Sequence, residues 1–376
     1  MHKHQLITVV GNRPQFIKMA PVSHAIAVRG HQEIVVHTGQ HYDDNLSDIF
    51  FRELGIKAPD IQLKVSGKTH GAMTAELLAK IEPIFMDLEP SGLLVYGDTN
   101  STLAAVLAAV KLHIPVAHIE AGPRMNDMTM PEEVNRIMVD HVSSLLFAPD
   151  APSVENLKRE GISVPVYLAG DVMLDTFNLC KQRAKTEATL LQHPRLANNA
   201  ANNANFIFMT LHRPANVDSE ACLQKLYQFI ASYEGLIVFP AHPRTLARMK
   251  AFSLYEAFAA LPNLLLTEPL GYLDTIAALM HAQYVITDSG GLQKEAYFAR
   301  TLALVLLKET PWPELRDSGW QHVIGGLEHC DLSSALATLK NAAIPTSAPD
   351  FYGKGNAASI IVDALEQHQF FGHLAR

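Results

Sequence analysis

The chain of 376 residues is 48% apolar and only 18% charged, which excludes a disordered protein and exceeds what one hydrophobic core usually serves, so two domains are expected. Its formal charge of −8 comes without a basic block, which excludes nucleic acid as a partner and favours small anions held by a few placed cations. Cys180, Cys222 and Cys330 stand far apart and outside any CxxC spacing, against a disulfide framework or a zinc knuckle and in keeping with a reducing compartment.

Met1-His2-Lys3-His4 leads straight into the strand-like run Leu6 to Val10 without an apolar segment of signal length. No run approaches the roughly 18 apolar residues of a membrane span, so a cytoplasmic protein with no membrane partner is expected. The turn Gly11-Asn12-Arg13-Pro14-Gln15-Phe16-Ile17-Lys18 follows that strand. Glycine permits a sharp turn and Pro14 suits the first turn of a helix, so Arg13 and Lys18 would stand near free amides that favour an anion.

Apolar runs then alternate with amphipathic stretches: Glu33 to His37, Leu93 to Tyr96, Val116 to Ile119, Leu145 to Ala148 and Val166 to Leu168. Such alternation predicts βαβ units and a parallel sheet. Asp98 and Glu120 each follow one of these strands, where a parallel sheet delivers side chains into a crevice, and Glu132 follows shortly in Pro131-Glu132-Glu133-Val134-Asn135-Arg136. Crowded carboxylates should repel, raising at least one pKa so that one can act as an acid while another is a base.

After Gly170-Asp171 a polar helical stretch reaches about Leu191, and the Asn/Ala-rich segment 192–205 reads as an exposed linker. A second alternating series follows: Phe206 to Thr210, Leu236 to Pro240, Leu264 to Thr267, Tyr284 to Thr287, Leu302 to Leu307 and His322 to Ile324. The expected fold is therefore α/β, with two Rossmann-like doubly wound domains over residues 1–170 and 171–356 and a cleft between them. A terminal helix in 357–376 would pack back on the first domain.

In the second series, His212-Arg213-Pro214 and His242-Pro243-Arg244 each follow a strand, placing a His/Arg pair where it could neutralise a diphosphate. Thr287-Asp288-Ser289-Gly290-Gly291-Leu292-Gln293-Lys294-Glu295 repeats the glycine-turn logic. Ser289, Gly290 and Gly291 can present amides and a hydroxyl to a diphosphate, and Glu295 could accept both ribose hydroxyls. Tyr272 and Arg136 join this candidate binding set. There is no YxxxK, P-loop or GxGxxG after a strand, and Gly353 to Ala358 fits GxGxxA only in form, so a nicotinamide enzyme is disfavoured. The histidines show no metal-ligand spacing, and no metal is expected.

Taken together, GNRPQFIKMAPV at Gly11 to Val22, GDTNSTLAA at Gly97 to Ala105, HIEAG at His118 to Gly122, PEEVNR, the His212-Arg213 pair, TDSGGLQKE and YGKGNA at Tyr352 to Ala357 resemble the non-hydrolysing UDP-N-acetylglucosamine 2-epimerase family. The resemblance runs nearly end to end. It implies a GT-B-like fold, a UDP-sugar partner, a homodimer, a role in making polysaccharide such as lipopolysaccharide or capsule, and no cofactor. The implied reaction eliminates UDP to a 2-acetamidoglucal and adds it back after reprotonation from the other face. Asp98, Glu120 and Glu132 match the family's acid/base carboxylates. His212, Arg13 and Lys18 fall on the phosphate side, and Ser289, Gly290, Gly291 and Glu295 on phosphate and ribose, with the order of acid and base left open.

Several residues depart from the family pattern. The loop Lys308-Glu309-Thr310-Pro311-Trp312-Pro313-Glu314 is one residue shorter and begins with lysine instead of arginine, and Pro123 replaces a leucine ahead of Arg124. His37 to Asn45 lacks the glutamine pair of members activated by substrate, so weak or absent activation is expected. That segment, with Ile49 to Ile56 and Thr69 to Thr74, is most similar to the branch acting on UDP-2,3-diacetamido-2,3-dideoxyglucuronate. A GT-B glycosyltransferase, a hydrolysing relative and a non-catalytic UDP-sugar sensor remain as alternatives.

Overall fold

The structure, a computed structural model, describes residues 5–39, 51–201 and 206–372. Among these, the chain divides into two compact units, one of residues 1–179 with 350–376 and one of residues 180–349.

The first unit is built on seven parallel strands: β1 (Leu6–Val10), β2 (Glu33–His37), β3 (Ile61–Gln62), β4 (Gly92–Tyr96), β5 (Val116–Ile119), β6 (Leu145–Ala148) and β7 (Val166–Leu168). They lie in the order β3-β2-β1-β4-β5-β6-β7. Alternate residues of the apolar strands serve opposite faces. Leu6, Val10, Leu94 and Tyr96 pack against Phe16, Met19 and Ile26 of the helix Arg13–Val28. Ile7, Val9, Leu93 and Val95 meet the helices His70–Leu88 and Asn100–Lys111 on the other side. A sheet covered on both faces is why these strands read as nearly continuous apolar runs.

The helix Ala357–Gln367 belongs to the first of these layers, with Ile361, Val362 and Leu365 buried. Its first amides, of Ala357 and Ala358, donate to the Asp175 carboxylate at 3.2 and 2.9 Å, and its last turn pairs Glu366 with Arg29 at 2.9 Å. Residues 350–356, expected with the second domain, group with this unit, as do 171–179. The reason is local: the amide of Asp171 donates to the Tyr352 carbonyl at 2.9 Å, closing the return of the chain onto the Gly170 turn.

The second unit holds six parallel strands: β8 (Phe206–Thr210), β9 (Leu236–Pro240), β10 (Leu264–Thr267), β11 (Tyr284–Thr287), β12 (Ala303–Val305) and β13 (Gln321–Val323), in the order β10-β9-β8-β11-β12-β13. The expected linker at 192–205 is corrected over 192–201, residues 202–205 lying outside the described residues. Pro194–Ala201 forms a helix within this unit, with Leu196 buried and Arg195 donating to the Leu264 carbonyl at 2.6 Å. Residues 40–50, on which the activation and substrate-branch expectations partly rest, lie outside the described residues.

In both sheets the strand order reverses at one place, between β1 and β4 and between β8 and β11. The crevice outside the carboxyl ends at such a point is where α/β proteins bind ligands.

Candidate active site

At the switch point of the first unit, the turn after β1 is stapled to the turn after β4 by Gln15. Its carbonyl oxygen accepts from the Gly11 amide at 2.6 Å, while its amide nitrogen donates to the Tyr96 carbonyl at 2.6 Å and the Thr102 hydroxyl at 2.9 Å. Gly11 has no room for a side chain: a Cβ there would lie 2.2 Å from Ser101 Oγ. Asn12 caps the helix, accepting from the Gln15 amide at 3.2 Å, and leaves Arg13 and Pro14 in its partly exposed first turn.

Lys18, expected on the phosphate side, has a carboxylate as its partner in the structure. Its side chain is buried, and its Nζ forms an ion pair with Glu120 at the end of β5. It also reaches beneath the neighbouring loop, since a Cβ on Gly97 would lie 3.6 Å from the same Nζ. Glu120 itself stands at a positive φ of 68° between β5 and Gly122, a conformation costly for a residue with a Cβ and retained where surroundings enforce it.

Asp98 is ion-paired with Arg136, and its backbone carbonyl accepts from Asn135 Nδ2 at 2.8 Å. Both partners sit on the helix Pro131–Val142, which is how the PEEVNR sequence is coupled to the GDTNS loop. Asp98 and Glu120 thus each face their own cation, an arrangement that offsets the mutual repulsion expected of crowded carboxylates.

The two glutamates opening that helix differ sharply. Glu132 is exposed, whereas Glu133 is buried and accepts from the amides of Met125 (3.0 Å) and Asn126 (2.8 Å) and from Arg136 (3.1 Å). Glu133 therefore builds the loop, and Glu132 stays open to a ligand. Beneath them, His118 is fully buried between Asp140 (2.7 Å from Nδ1) and the Gly97 carbonyl (2.8 Å from Nε2). Asp140 also accepts from the Gly122 amide at 3.1 Å and pairs with Arg124 at 2.8 Å. Burial pushes the Asp140 carboxyl up, but His118 and Arg124 outweigh it and hold it below the usual carboxylate range. Arg124, which follows Pro123, pairs also with Glu160 at 2.7 Å, so its charge is directed to those two carboxylates.

In the second unit, Asp288 organises the switch point. Fully buried at the end of β11, it accepts from the amides of His212 (3.0 Å) and Arg213 (2.9 Å) and from Asn216 (3.0 Å), and pairs with His212 Nδ1. Burial raises its carboxyl, yet these partners, His212 foremost, hold it below its ordinary value. With Nδ1 held by Asp288, the Nε2 edge of His212 is left for a ligand. The His242 ring lies 5.3 Å from that of His212, and its Nδ1 accepts from the Arg244 amide as a helix cap. Arg244 pairs with Asp218, whose carboxyl is lowered to about 2 by Arg244 first and Arg248 second. Tyr272 is buried at the start of its helix.

Ser289 caps the helix Gly290–Phe298, leaving Gly290 and Gly291 in its partly exposed first turn, while Glu295 is buried one turn on. The shortened loop is seated against this cap. Trp312 Nε1 donates to the Gly290 carbonyl at 2.9 Å, Lys294 Nζ lies 4.1 Å from the Trp312 ring centre, and Thr310 donates to Gln293 at 2.6 Å. Lys308 is exposed. Free amides at a capped glycine turn, with His212 and Arg213 from β8 nearby through Asp288, suit a diphosphate. Among the described residues no three His, Cys, Asp or Glu side chains cluster as a metal site would, and no helix is long and apolar enough to cross a membrane.

Gln15, His118, Glu133, Asn135, Asp140 and Asp288 are absent from the sequence-derived set, although all but Asp140 stand inside its motifs. The signal for the five inside the motifs is a polar residue one or two positions from a candidate side chain; Asp140, four positions past Arg136, carries no such signal.

Two doubly wound parallel units of seven and six strands define a protein of the GT-B-like class. The UDP-N-acetylglucosamine 2-epimerase family model matches residues 24–366. A UDP-N-acetylglucosamine 2-epimerase homolog of Methanococcus maripaludis is 40% identical, covering 96% of this chain and 99% of its own. The UDP-2,3-diacetamido-2,3-dideoxy-D-glucuronate 2-epimerase of Pseudomonas aeruginosa is likewise 40% identical over 96% of this chain and 99% of its own. The crystal structure of Methanocaldococcus jannaschii UDP-GlcNAc 2-epimerase with UDP-GlcNAc and UDP superimposes with a TM-score of 0.86 at 32% identity, covering 96% of this chain and 99% of the other. The chain belongs to the UDP-N-acetylglucosamine 2-epimerase family, whose members are isomerases.

Proposed function

We propose that this protein is a non-hydrolysing UDP-N-acetylglucosamine 2-epimerase that interconverts UDP-GlcNAc and UDP-ManNAc, working in the cytoplasm as a homodimer in the supply of a polysaccharide precursor. The observation that carries this is the pair of carboxylates, Asp98 on Arg136 and Glu120 on Lys18, at the ends of the adjacent strands β4 and β5.

The C2 hydrogen of the sugar is not acidic, so its removal has to accompany departure of UDP from C1. One carboxylate takes the C2 proton, the C1–O bond breaks, and a C1=C2 double bond forms in 2-acetamidoglucal. Protonation of C2 from the opposite face and return of the diphosphate oxygen to C1 give the epimer. Asp98, Glu120 and Glu132 supply the base and the acid. Lys18 and Arg136 hold two of these carboxylates in place. His212, Arg213, His242 and Arg13 offset the charge of the departing diphosphate, and Ser289, Gly290, Gly291, Tyr272 and Glu295 hold the nucleotide.

A second substrate, UDP-2,3-diacetamido-2,3-dideoxyglucuronate, is supported by the 40% identity to the Pseudomonas aeruginosa enzyme named for it. Incubation with each sugar nucleotide in deuterated water, followed by NMR at C2, decides. Deuterium at C2 in a mixture of epimers is expected with one of the two. A C2 proton that exchanges in neither would end the epimerase assignment.

A further inference from the structure

His118 is fully buried one residue before the end of β5, and both of its ring nitrogens face oxygen. Nε2 lies 2.8 Å from the Gly97 carbonyl, which can only accept, so Nε2 carries a hydrogen. Nδ1 lies 2.7 Å from Asp140 Oδ1. A bare Nδ1 would set its lone pair against that carboxylate unless Asp140 held the proton. The other Asp140 oxygen, however, faces the Arg124 guanidinium at 2.8 Å and the Gly122 amide at 3.1 Å, both of which favour the ionised acid.

We propose that His118 and Asp140 form a buried imidazolium–carboxylate pair whose hydrogen bonds position both acid/base loops, one through the Gly97 carbonyl beside Asp98 and the other through the Gly122 amide beside Glu120. His118 and Asp140 are positioning residues and touch no substrate; the inference rests on the epimerase function proposed above. The geometry explains why two separate loops need a single support. Gly97, Glu120 and Gly122 all have positive φ, at 60°, 68° and 93°, so neither loop is held by ordinary strand geometry. Gly97 is further tied to β5, its amide donating to the Ile119 carbonyl at 3.0 Å. The His118–Asp140 pair adds the contacts that fix where each loop leaves the sheet. Misplacing a reacting group by about 1 Å can cost ~100-fold in rate.

The test combines nitrogen-15 NMR of histidine-labelled protein with kinetics of Asp140→Asn and His118→Gln. In the unsubstituted protein, two ring nitrogens of His118 with protonated-type shifts and directly bound hydrogens are expected at neutral pH. A bare-nitrogen signal overturns the ion pair whatever the sugar substrate, so this measurement stands even if neither sugar nucleotide is turned over. In the variants, kcat for C2 exchange should fall ~100-fold while KM and the Kd for UDP stay within about threefold, as expected for misplaced chemistry and an intact nucleotide site. Turnover within threefold of the unsubstituted enzyme, or equal losses in kcat and UDP binding, overturns the positioning role.

Discussion

The Asp288 carboxylate lies 3.0 Å from Nδ1 of His212 while also accepting the backbone amide of the same residue. Two independent bonds from one buried acid thereby fix both the turn after β8 and the ring that projects from it. Asp288→Asn keeps the shape but gives up the charge. Since hydrogen bonds to charged groups contribute about 1.5–3 kcal/mol, kcat/KM should fall ~10- to 100-fold. Loss of the same size in His212→Gln, and no further loss in the double variant, is the expected double-mutant cycle. Additive losses would show that Asp288 does not act through His212.

Glu132 and Glu133 separate chemistry from architecture at adjacent positions. Glu132 is exposed, so Glu132→Gln should abolish C2 exchange with stability changed by no more than about 0.5 kcal/mol. Glu133, buried against two amides and Arg136, should on Glu133→Gln lose about 1.5–3 kcal/mol, because the amides of Met125 and Asn126 exchange a charged acceptor for a neutral one while Arg136 keeps Asp98 as its partner. Urea unfolding of both variants beside activity assays checks this. Equal destabilisation would contradict the assignment.

Much of this architecture is visible in the sequence because the strands of both sheets, apart from the two-residue β3 and the polar β13 (Gln321-His322-Val323), are built on apolar runs between turn signals. Asp98, Glu120 and Ser289 are visible as well, since parallel sheets present strand ends to ligands. What a linear reading misses depends on contacts distant in sequence. Lys18 pairs with Glu120, and Asp140 with His118 and Arg124, in geometry that no spacing encodes. The Asn/Ala-rich stretch misleads for a different reason: its polar composition hides the buried Leu196 and the Arg195 contact that seat its helix.

Trp312 converts the shortened loop from a free edge into a support for the glycine turn. Its indole hydrogen bond to the Gly290 carbonyl is lost in Trp312→Phe. A neutral hydrogen bond contributes about 1 kcal/mol, so the Kd for UDP measured by calorimetry should rise roughly fivefold. Lys308→Ala, at an exposed position, should leave it unchanged if the lysine makes no nucleotide contact. A larger effect at Lys308 than at Trp312 would reverse the account of this loop.

His37 gives the first unit a defined acid sensitivity. Buried at the end of β2, with Phe16 packed edge-on at 5.0 Å, its imidazole is pushed down by burial from 6.5 to about 4, which the Gly11 backbone only partly opposes. In the unfolded chain the ring protonates near 6.5, so the stability that depends on a neutral ring is fully present above that pH and is lost as pH falls toward 4. At about 1.4 kcal/mol per unit, the loss is on the order of 3 kcal/mol. The depressed carboxyls of Asp140 and Asp288 add their own losses only at lower pH, once carboxylates begin to protonate in the unfolded chain. Urea unfolding at pH 7, 5.5 and 4.5, chosen to bracket that window, should therefore show the native protein weakening steadily, and His37→Gln weakening much less over the same interval. Parallel declines in the two proteins would place the acid sensitivity elsewhere.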